Sequence, residues 1–94
     1  SGDVGEGLVG GGSMIGDPRL DEKPQEAGTV RMRIQVGADG KVISASPVYE
    51  SRLTTLTDSY HVKLAQRAAM TARFEGSATQ SRRLGYITIT FDLE

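Results

Sequence analysis

His61 is the single histidine of the chain, and few residues could share chemistry with it. A metal centre or a hydrolytic relay needs His, Cys or carboxylates that return to one face at short spacing. This chain has no cysteine, no second histidine and no HExxH pattern. His61 falls on the apolar stripe of a helix, where a structural, partly buried imidazole is expected. The acidic residues Asp17, Asp21, Glu22 and Glu26 lack the spacing of a calcium loop and read as solvated. Serines occur without a base in a recognisable arrangement. No catalytic residue, metal ligand or cofactor is expected, and the chain is not read as an enzyme.

Two further patterns are weaker than they look. Gly5-Glu6-Gly7-Leu8-Val9-Gly10 matches the glycine spacing of a dinucleotide-binding turn, which works only between a strand and a helix whose N-terminus faces the pyrophosphate. Here four residues precede it and Gly11-Gly12 follow, so the match is compositional. The charge is divided: residues 1–28 hold six acidic and two basic groups, residues 29–94 nine basic and six acidic. A surplus of three positive charges interrupted by carboxylates is too sparse to track a phosphate backbone, so nucleic acid is not an expected partner.

The elements that would position any site follow from period and punctuation. Residues 1–27 contain seven of the twelve glycines, then Asp17-Pro18 and Lys23-Pro24. Glycine loses the most backbone entropy on ordering and proline cannot donate to a ladder, so this segment reads as a flexible Gly-rich linker or arm. Met14, Ile15 and Leu20 are its candidates for docking onto a domain at 28–94. Thr29 to Val36 alternates, with Val30, Met32, Ile34 and Val36 on one side and Arg31, Arg33 and Gln35 on the other, the signature of a half-buried strand. Gly37-Ala38-Asp39-Gly40 reverses the chain, and Lys41 to Ser46 returns as a second strand that Pro47 stops or confines to an edge.

Thr55, Thr57 or Asp58 can cap the next element. From Asp58 to Arg73, His61, Leu64, Ala65, Ala68, Ala69 and Ala72 follow helical spacing, while Lys63, Gln66, Arg67 and Thr71 lie outside that stripe. An alanine face lets the helix lie close on a sheet, and Phe74 closes it as a core anchor. Residues 75–84 read as a polar loop. Gly85 to Leu93 alternates again, with Ile87, Ile89, Phe91 and Leu93 inward and Tyr86, Thr88, Thr90 and Asp92 outward.

The expected fold is α+β: a two-layer β-β-α-β unit with a three-stranded antiparallel or mixed sheet of order 2-1-3 and one helix on one face. The right-handed crossover places the first strand centrally. The last strand then has an open edge. Natural proteins usually blunt such edges, and only Asp92 near its end does so here. An extended peptide adding as a further strand is the expected partner. Tyr86, Ile87, Thr88, Ile89, Thr90, Phe91 and Asp92 form the candidate partner-binding strand, with Arg82 and Arg83 before it to meet acidic groups. Coverage by the arm or by a second copy of the domain is the competing expectation.

Gly28-Thr29-Val30, Asp39-Gly40-Lys41-Val42, Thr54-Thr55, the A-x-x-A-A-x-x-A-x-F run from Ala65 to Phe74 and Gly85 to Phe91 together resemble the C-terminal domain of TonB energy transducers, in the form found in Bacteroidetes-like bacteria. The resemblance covers about residues 14–94. It implies a periplasmic domain anchored in the inner membrane through an N-terminal helix absent here, partnered there by an ExbB/ExbD-type proton-driven motor. It also implies that the domain grips the N-terminal TonB-box peptide of a TonB-dependent outer-membrane transporter and pulls, as in siderophore uptake. In the family the peptide pairs with the last strands, which maps onto Tyr86 to Leu93. The glycine-rich leader departs from the family pattern, as does the lack of a strand after Leu93. The alternatives are a TolA-like or sensor-linked envelope module, or a self-associating structural domain; the oligomeric state expected is a monomer or weak homodimer.

Overall fold

Alternation in the first long strand is realised as a fully buried row: Val30, Met32, Ile34 and Val36 are each 0 % exposed. A computed structural model describes residues 7–93. In chain order the elements are β1 (Gly7–Leu8), β2 (Met14–Gly16), β3 (Gly28–Gly37), β4 (Val42–Pro47), α1 (Ser59–Thr71), β5 (Arg73–Phe74) and β6 (Arg82–Phe91).

The protein is α+β, with one helix and antiparallel strands in two sheets. The main sheet has four strands in the order β1-β6-β3-β4, and β2 and β5 form a separate two-stranded ribbon. This corrects the expected three-stranded sheet. The order of β4, β3 and β6 is the expected 2-1-3, but the glycine-rich arm adds β1 outside β6 and β2 beside β5. β3 and β6 pair over their whole length, from Gly28↔Phe91 to Gly37↔Arg82.

The hairpin turn depends on Gly40, whose φ is +87°. A Cβ there would lie 2.0 Å from the Phe74 carbonyl oxygen, and the Gly40 carbonyl accepts from the Phe74 amide at 2.9 Å. The tip of the hairpin is thereby tied to the end of the helix. β4 then stops at Pro47, which has no amide to offer a neighbour.

Asp58 caps α1, its Oδ2 accepting from the His61 amide at 3.1 Å. The whole expected stripe is buried, and Val62 joins it. The helix ends earlier than its apolar spacing suggests, because Ala72 turns to extended backbone (φ −64°, ψ 153°). Arg73 and Phe74 are then strand, paired with β2, while the Phe74 side chain still fills the core as anticipated.

Residues 7–27 lie against the rest of the protein. Met14 and Leu20 pack on the core cluster, whereas Ile15 is 69 % exposed. Arg67 grips Asp21 with two hydrogen bonds of 2.8 and 3.0 Å, the Tyr60 hydroxyl donates to the Lys23 carbonyl at 2.6 Å, and the Arg19 amide donates to Thr71 Oγ1 at 2.8 Å. Residues 1–6 and 94, also assigned to arm and domain, lie outside the described residues.

Candidate functional site

Which side of each strand carries its amides follows from β3. The amides of Thr29 and Arg31 donate to Thr55 Oγ1 and Thr54 Oγ1, and their carbonyls accept from the Thr55 and Val48 amides. Both residues thus direct their backbone groups away from β6. Val30 and Met32 direct theirs toward it, paired with Ile89 and Ile87. Antiparallel alternation then sends the amides and carbonyls of Leu84, Tyr86, Thr88 and Thr90 to the outer side of β6.

Side chains alternate in the same register. Ile87, Ile89 and Phe91 are buried in the core, so these three expected contact residues present no side chain to a partner. Tyr86, Thr88 and Thr90 lie on the opposite face. There Arg31 Nη1 donates to Thr88 Oγ1 at 2.7 Å, and the Arg31 guanidinium stands 5.5 Å from the Tyr86 ring centroid. Arg31 was not foreseen in this role; its place opposite Thr88 follows only from the strand register.

The outer side of β6 is not bare. Gly7 pairs with Tyr86 and Leu8 with Gly85, and the Val9 amide donates to the Leu84 carbonyl at 2.7 Å. The arm therefore occupies the start of the edge, as the competing expectation had it. Within the described residues this outer ladder runs from Leu84 to Tyr86.

Arg83 corrects the expectation of a cation reaching toward a peptide. It is 2 % exposed, because β6 begins at Arg82 and its odd positions face the core. Its Nη1 donates to the Gly11 carbonyl at 3.3 Å and its Nη2 to the Gly37 carbonyl at 2.9 Å; Nε is buried without a partner. The guanidinium clamps the arm to the end of β3. Arg82 and Asp92, at the two ends of the strand, are exposed.

His61 is 1 % exposed and fully engaged. Its Nε2 accepts from the Gln25 and Glu26 amides at 3.0 and 3.2 Å. That leaves the proton on Nδ1, which faces the Asp58 carboxylate at 2.9 Å. The ring also meets Phe91 edge-on at 5.2 Å. His61 thus ties the arm to the helix and the end of β6. The backbone hydrogen bond from His61, then its ring, hold the Asp58 carboxyl below the ordinary carboxylate range. Hydrogen bonding from Arg67 lowers Asp21 likewise.

Among the described residues, no cluster of three His, Cys, Asp or Glu side chains is arranged to hold a metal ion, and no helix is long and apolar enough to cross a membrane. No family model, curated protein or solved structure is matched by the chain.

Proposed function

We propose that this domain captures an extended segment of another protein by strand addition along the outer side of β6, in the manner of a TonB-type energy transducer. One observation carries the reading: among the described residues, the strand outside β6 comes from the N-terminal arm, Gly7–Leu8, in antiparallel register with Tyr86 and Gly85. A sheet edge that already takes an intramolecular segment in this register has the geometry to take an intermolecular one.

The captured segment is the N-terminal peptide of a TonB-dependent outer-membrane transporter. The domain lies in the periplasm, and an upstream helix anchors it in the inner membrane beside an ExbB/ExbD-type motor. Backbone hydrogen bonds contribute roughly 0.5 to 1.5 kcal/mol net each, so a handful, less the cost of ordering the peptide, gives a reversible grip. Pulled along the strand axis, the bonds bear load together. Tyr86, Thr88 and Thr90 on the polar face, with Arg82 and Asp92 at the two ends, bias the choice of peptide. The energy comes from the motor, and the domain supplies only the coupling.

Titration of the isotope-labelled chain with a transporter N-terminal peptide tests this. Amide resonances of Leu84, Tyr86 and Thr90 are expected to shift. Shifts confined to α1 would reject strand addition, and a concentration-dependent dimer through β6 without peptide would favour a self-associating domain.

A further inference from the structure

Gly85 stands inside β6 without a conformational reason to be glycine. Its φ is not positive, and an interior strand glycine weakens a sheet unless something approaches closely. What approaches is the arm. A Cβ on Gly85 would lie 2.6 Å from Leu8 Cδ2 and 2.4 Å from the Gly7 carbonyl oxygen. Between Arg83 and Ile87 on the core-facing row, Gly85 leaves a notch, and the Leu8 side chain fills it and packs against the core cluster.

We infer that this notch is a side-chain pocket for the incoming strand: an antiparallel peptide seats a leucine-sized apolar residue over Gly85, where Leu8 of the arm now stands in for it. The inference rests on the strand-addition reading and adds to it a position and a side-chain preference. Direction follows from the antiparallel pairing of Gly7 with Tyr86 and the Val9 amide bonded to Leu84. Size follows from the present occupant, since the Leu8 side chain fills the space over Gly85 and reaches the core cluster. Charge follows from the neighbouring Arg83 guanidinium, which disfavours lysine or arginine here. A hinge lies next to the stand-in: Gly10, Gly11 and Gly12 follow it at positive φ.

The test uses the full chain and two synthetic peptides, Thr-Thr-Val-Leu-Val-Thr-Thr and its counterpart with a central alanine. The leucine peptide is expected to shift the Leu84, Gly85 and Tyr86 amides, displace the Val9 amide, and bind about tenfold more tightly than the alanine peptide. Leu8→Ala on the arm is expected to raise the affinity for the leucine peptide severalfold, and Gly85→Val to abolish the discrimination. Equal binding of both peptides with shifts at the outer amides would overturn the notch and leave strand addition standing. A lowered affinity in Leu8→Ala, which leaves β6 itself intact, would equally overturn it by making the arm part of the receptor. No shift at the outer amides with either peptide would overturn both readings.

Discussion

At the scale of single residues, two buried polar side chains hold the arm in place. His61 accepts two backbone amides with one nitrogen. In His61→Phe, which keeps the ring volume against Phe91, the Gln25 and Glu26 amides lose their acceptor. The expected cost is about 1 to 3 kcal/mol of unfolding free energy, measured by urea titration. Arg83→Met keeps the aliphatic stem but frees the Gly11 and Gly37 carbonyls. Faster hydrogen exchange is expected at the Val9 amide, with α1 unchanged. Equal acceleration throughout would mean that Arg83 supports the whole fold rather than the arm.

Asp58 and Asp21 set the response to acid. Each carboxyl has a lowered folded value, so each stabilises the fold fully above its unfolded value, about 3.9, and loses that contribution as pH falls through the folded one. The sign is therefore loss of stability below about pH 4. In the double variant Asp58→Asn, Asp21→Asn, the difference in thermal midpoint between pH 6 and pH 3 is expected to shrink.

Elements were legible where one period dominates. β3, β6 and the inner stripe of α1 bury the residues their alternation or helical spacing marks, except Leu93, which was expected inward but lies past the end of β6 at Phe91 and is 58 % exposed. Gly40 was legible as a turn glycine, and its approach to the Phe74 carbonyl makes it more than that. Gly40→Ala places a Cβ at positive φ against backbone, and a loss of roughly 1 to 3 kcal/mol is expected in thermal or urea unfolding. The end of α1 was not legible, because Ala72, Arg73 and Phe74 satisfy helical spacing as well as they satisfy a strand. Pairing with Met14 and Gly16, some sixty residues away, decides that contest.

For the whole molecule, the arm is where local reasoning ran out. Gly5 to Gly12 have no period, and composition argues for a loose linker. What orders residues 7–27 is long-range: a ladder to Tyr86, a clamp from Arg83, an imidazole and the Asp21–Arg67 pair. Leu8 and Gly85 were each visible, but only their juxtaposition gives either a meaning. Arg83 likewise sat beside Arg82 in a loop-like run, and only the early start of β6 turns it inward. The last strand was thus legible as a strand and its cover by the arm only as one of two alternatives, while the register of that cover and the buried role of Arg83 were not legible.

The most direct measurement is amide hydrogen exchange along β6, with and without a transporter N-terminal peptide. Protection is expected to rise at the outward-directed amide of Thr90 and to stay unchanged at Ile87 and Ile89, already paired with β3. Uniform change along the strand, or none at the outward positions while the peptide is bound, would contradict strand addition at this edge.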